Sequence, residues 1–218
     1  MFGINLMTKM VKKKKKDFSL KEEYQEAFSF LSKSRDFVYA TILLFFIFGV
    51  IGFFFEDIVN QLFNSLFGVK LSNTIFDYIQ KILLETEGMN YGQLFGYIFF
   101  RNLQSSLFGI LLGIIFGIFP LIAIIANGYL LGFVAFISVK ANGIFVLWRI
   151  LPHGIFELPA VFISIGLGLR LGFSMFSSKE RASFKNYFVN SLRVFLLIVF
   201  PLLVIAAIIE AGLILLTG

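Results

Sequence analysis

No cysteine occurs in the 218 residues, which excludes disulfides, thiolate metal sites, cysteine nucleophiles and thiol redox chemistry. Histidine is almost as scarce. His153 stands alone, and a zinc site needs three or four ligands, so neither a metal centre nor a cofactor is expected. His-Glu-x-x-His, Gly-x-Ser-x-Gly and the phosphate-cradling Gly-x-x-x-x-Gly-Lys are also missing. No catalytic residues are assigned, and the expectation is a protein that is not an enzyme. Charge is the third shortage. Asp, Glu, Lys and Arg supply 15% of the chain, where a soluble domain carries about 25%.

What fills the space is apolar. Hydrophobic residues make up 58% of the chain and the mean hydropathy is +0.90, the composition of a membrane protein. Phenylalanine occurs 31 times beside 19 glycines; large rings fill gaps and face lipid, and glycine lets helix backbones approach each other. A crossing needs roughly 20 mainly apolar residues. Spans are predicted over 37–55, 94–117, 121–139, 150–175 and 192–216, with a tight turn near Gly117-Ile-Phe-Pro120 separating the second and third.

Five crossings place the termini on opposite sides. With the N-terminus inside, thirteen Lys and Arg residues fall on inner segments and four on outer ones, with Arg101 and Arg170 inside spans. The positive-inside rule therefore predicts a multi-pass protein of the cell membrane, N-terminus cytoplasmic and C-terminus outside. Residues 1–36 open with the block Lys12, Lys13, Lys14, Lys15 and Lys16 and continue with apolar positions at helical spacing. About twenty mostly polar residues separate that block from the first apolar run, unlike a secretory signal. The segment reads as a basic amphipathic helix on the cytoplasmic side, lying against the anionic inner leaflet and not nucleic acid. The stretch 56–90 holds two more amphipathic patterns broken around Gly68 to Asn73. It lies flat on the outer leaflet, caps the bundle, docks an extracytoplasmic partner, or dips into the bilayer as a hairpin that changes five spans to six.

Ionisable groups inside spans are costly and ask for a reason. Arg101 and Glu157 each lie about seven residues below the outer end of their span, and Glu210 lies about 18 residues along the fifth from the inner side. All three fall at one depth, about 10 Å below the outer surface. His153 is one turn above Glu157 on the same helix face, and Asn102 accompanies Arg101. The expected cluster is thus one buried cation, Arg101, against two carboxylates, with His153 at its border. It serves as a structural ion-pair cluster or as a polar pathway. Arg170, about 20 Å further along the fourth span, belongs to the inner interface.

The run Pro152-His153-Gly154…Glu157-Leu158-Pro159-Ala160, followed by Gly166, Gly168 and Arg170, closely resembles the signature of the stage II sporulation protein M family of integral membrane proteins. Arg101-Asn102-Leu103 and Asn127-Gly128-Tyr129-Leu130-Leu131-Gly132 look like further recurrent features of that family. The resemblance covers most of the chain. It implies a multi-span scaffold, not a recognised enzyme; the family's sporulation members anchor cell-wall-degrading partners during forespore engulfment. The expected architecture is therefore an all-α polytopic bundle that organises or recruits a membrane or extracytoplasmic protein. A small-solute or ion transporter using the intramembrane cluster is the alternative. A homo-oligomer is left open.

Overall fold

The computed structural model describes residues 19–149, 151–176, 181 and 183–217, with backbone alone at 148, 149, 151–153 and 217. All regular structure among the described residues is helical. In chain order the helices are α1 (Leu20–Lys33), α2 (Arg35–Phe54), α3 (Glu56–Phe67), α4 (Leu71–Thr86), α5 (Tyr91–Leu111), α6 (Ile118–Asn142), α7 (Leu151–Phe173), α8 (Phe184–Val194) and α9 (Phe200–Thr217). Five stretches are long and apolar enough to cross a membrane: Arg35–Phe54, Tyr91–Ile114, Ile118–Asn142, Gly154–Phe173 and Phe184–Leu216. The all-α, five-span expectation holds.

Local chemistry sets the boundaries. Asn90 and Gln93 form a reciprocal cap at the start of α5, the Gln93 amide donating to Asn90 Oδ1 at 3.1 Å and the Asn90 amide to Gln93 Oε1 at 3.0 Å. This satisfies two amide donors that a helix start leaves open. The α5–α6 turn closes through Phe116 and Gly117, whose φ values of 52° and 71° lie in the left-handed region that glycine enters without penalty. Pro201 lacks the N–H that would bond Leu197, and the turn before it, Phe195–Val199, widens to a π-helical turn that carries α8 into α9 as one long element.

Helices α2, α6 and α9 run one way and α5 and α7 the other. The central helix is α7, half of whose span is buried. One core joins it to α5 and α9 through Ile110, Ala160, Leu167, Val199 and Leu203. Another joins it to α2 and α6 through Phe45, Phe162, Ile165 and Ile124.

Two backbone seams bring helices closer than side chains allow. In the parallel pair α2–α6, a β-carbon on Gly128 or Gly132 would come within 3.0 Å of the Phe45 or Gly49 backbone. In the second seam, between α5 and α7, which are also parallel, Gly168 meets Gly109 and Gly172 meets Gly113 and Gly117 equally tightly. Small residues at four-residue spacing allow this approach, and dispersion between the backbones supplies the attraction that lipid cannot.

One expectation is corrected here and one choice is settled. First, α1 is not merely peripheral: Ala27 and Phe30 are buried in the α7–α9 core, and Arg193 of α8 pairs with Glu23 at 2.6 Å and Glu26 at 2.7 Å. The short Ser34 joint folds α1 back over the end of the bundle, and the acidic face of α1 meets the one basic residue of α8 at that height. The Lys12 to Lys16 block lies outside the described residues. Second, of the alternatives for 56–90, the structure has α3 and α4 packed on the bundle. They form a hairpin around Gly68, with φ 71°, inserted along the flank of α2 and α6. Ile75 packs with Tyr129 and Phe133, the Phe76 and Phe133 rings are 5.8 Å apart, and Val59 and Leu71 share an apolar cleft with Phe48 and Ile51. Phe48 is about 9 Å before the end of α2 at 1.5 Å per residue, so the hairpin reaches that far along the α2 span. At 12 and 16 residues neither arm crosses.

Candidate functional site

Arg101 projects from the first half of α5 toward the hairpin. Its guanidinium donates to Tyr97 Oη and to Tyr78 Oη, each at 2.5 Å, and lies 5.3 Å and 5.5 Å from the centres of the same two rings. Tyr97 Oη in turn donates to the Glu85 carboxylate at 2.6 Å. A relay therefore runs from cation to phenol to carboxylate, and it ties α4 to α5. Both phenols combine a face for the cation with an oxygen for its N–H groups, which suits a partly dehydrated guanidinium.

This arrangement overturns the expected pairing. Among the described residues no ion pair joins Arg101 to Glu157 or Glu210. The depth argument was incomplete because a long arginine climbs toward the interface, and α4 places two tyrosines and a glutamate there. Asn102 is half-buried on α5 next to Arg101. Tyr78, Tyr97 and Glu85 went unnoticed in the sequence, although Tyr97 stands one turn before Arg101 and faces the same side.

Glu157 and Glu210 do come together. They are on α7 and α9, which pack side by side, close enough for the Glu210 charge to act on Glu157. Glu210 Oε2 is buried without a hydrogen-bond partner, and Glu157 has no cation partner among the described residues. A second carboxyl, not the expected cation, is thus the ionisable neighbour of Glu157 among the described residues. His153 belongs to the first turn of α7, but its side chain, like that of Pro152, lies outside the described residues. No group of three or more potential metal-binding side chains occurs among the described residues.

The rest of the signature is absorbed into packing. Ala160 is fully buried, Leu158 packs beside Phe162, and Gly166 abuts Val38 of α2. Gly168 meets Gly109 in the α5–α7 seam. Gly154 opens the α7 span, and Pro159 interrupts its hydrogen-bond ladder. Arg170 donates to Ser34 Oγ and to the Phe30 carbonyl at 3.4 Å. It also lies 4.6 Å from the Phe30 ring centre and 4.8 Å from that of Tyr187. It therefore pins α7 to the α1–α2 joint and to α8. These partners, too, were not evident in the sequence, because nothing in it says which helix faces Arg170.

No curated protein and no solved structure matches the chain. Residues 40–213 match the family described as Stage II sporulation protein M, so the protein belongs to that family.

Proposed function

We propose that the protein is a scaffold of the cell membrane that recruits or organises an extracytoplasmic or membrane partner, and that it performs no catalysis. The carrying observation is the α3–α4 hairpin. One side of it is latched to the bundle by Arg101 and by the Ile75 contacts, while α3 has no buried residue at all. Leu66 and Phe67, near its tip, are 66% and 65% exposed. A rigid mount carrying an unburied apolar helix suits presentation to another protein. The orientation that supports an outward-facing hairpin is the charge bias, thirteen basic residues against four.

Affinity purification from native membrane tests this reading. The Phe63 and Phe67 rings lie 4.6 Å apart, and changing both to serine is expected to abolish recovery of partners held by the wild type, with insertion and thermal stability kept. Equal recovery from both proteins removes the hairpin as the recruiting element.

The Glu157–Glu210 pair favours a second reading, transport of a proton or small cation. Two neighbouring carboxyls can hold a positive charge between them, and ionisable residues inside the membrane mark such routes. Liposomes carrying the purified protein would then show flux that Glu157→Gln and Glu210→Gln each abolish. Flux equal to protein-free liposomes eliminates it.

A further inference from the structure

A lateral groove of about 690 Å³ runs between α1, α2 and α7. At one end its lining is polar, with Ser32 and Arg35; from there it continues along Ile42, Pro159 and Phe162, with Phe28 of α1 overhanging it. Arg35 to Ile42 is seven residues, about 10 Å of helix, most of the roughly 15 Å of hydrocarbon in one leaflet. Polarity thus changes along the groove in the order that it changes along a phospholipid.

The chemistry at the mouth fits a phosphate. Asp36 lies 3.7 Å from the Arg35 Nε, but the two side chains are 69% and 89% exposed, and such exposed pairs contribute little. The two terminal guanidinium nitrogens have no partner among the described residues, and they are the pair that grips a phosphate with two parallel hydrogen bonds. Along the wall, Pro159 has no N–H to offer the carbonyl one turn earlier, and its exposed ring stands where the groove passes α7.

We propose that this groove is a binding site for one anionic phospholipid of the inner leaflet, its phosphate on Arg35 and Ser32 and one acyl chain along Ile42, Pro159 and Phe162. Basic pockets between membrane helices on the cytoplasmic side bind lipid headgroups in this way. Which leaflet supplies the lipid rests on the cytoplasmic N-terminus proposed above, and that orientation is tested independently by terminal tags.

The test is native mass spectrometry of the full chain in detergent, titrated with dioleoyl phosphatidylglycerol or dioleoyl phosphatidylcholine. The wild type is expected to retain one phosphatidylglycerol at about fivefold lower concentration than phosphatidylcholine, the factor that about 1 kcal/mol per basic residue gives. Arg35→Gln should level the two lipids. Ile42→Trp, which fills the groove, should lose both, and glutamine at all five lysines 12–16 should keep the preference. Thermal unfolding without lipid checks that the variants fold, and Arg35→Lys, with charge but no fork, should keep part of the preference. Undiminished phosphatidylglycerol preference in Arg35→Gln, or wild-type retention in Ile42→Trp, overturns the proposal.

Discussion

Arg101 shows how a membrane protein settles a partly buried cation without a direct carboxylate. Its charge is shared between two ring faces and two phenol oxygens, and Glu85 completes the relay through Tyr97. Hydrogen bonds to a charged group contribute about 1.5–3 kcal/mol each. Tyr78→Phe should therefore lower stability in detergent by about 2 kcal/mol, and a double-mutant cycle with Arg101→Gln should return a coupling energy above about 1 kcal/mol. Coupling near zero means that the clamp does not hold α4. The carboxyl pair behaves oppositely. Truncating one partner of a buried ion pair costs about 3–5 kcal/mol, but Glu157 neighbours Glu210 and no described cation. Glu157→Gln should thus unfold within about 1 kcal/mol of the wild type, since it strands no described cation. A loss of about 3 kcal/mol or more reveals a cation partner for Glu157.

Among the elements, the seams decide which helices meet. Gly132 has the Gly49 backbone where a β-carbon would go, whereas Gly96, on the same bundle, has nothing within 4 Å. Gly132→Leu should force α2 and α6 apart and prevent a folded monomer from surviving purification. Gly96→Ala, which gains helix propensity with no clash, should raise stability by about 0.5–1 kcal/mol. The pair of measurements separates close approach from mere helix preference. Both outcomes are read from thermal unfolding and gel filtration. The spans themselves were legible, because each needs only about 20 apolar residues in a row. The Asn90–Gln93 cap was readable in principle as well, being local in the chain. The seam partners were not, since Gly128 and Gly132 carry no mark pointing to Phe45 and Gly49. Nor was the hairpin's packing on the bundle, since its apolar stripes fit a flat helix and a packed one equally well. Arg101 escaped for a related reason: its depth was computable from position, but its partners Tyr78 and Glu85 arrive from a separate helix whose placement is tertiary.

For the molecule as a whole, an odd number of crossings separates the chain ends. A reporter fused after Gly218 should therefore face outside and one inserted near Lys179 the cytoplasm; both on the same side would contradict five spans. Family membership and five long apolar helices make this a multi-pass membrane protein, in which α7 carries the signature residues because it touches every other spanning helix.

The α2–α6 seam also has a cost in time. Its first half, α2, is complete at Phe54, and its second half begins at Ile118, so the ribosome adds over sixty residues between them. At about 5–20 residues per second, α2 waits on the order of 3–13 s in the bilayer with its glycine face uncovered. Biogenesis of this chain therefore includes an interval in which a lipid, an insertase or a neighbouring nascent helix occupies the face of Gly49 and Gly52, and must leave before α6 can dock.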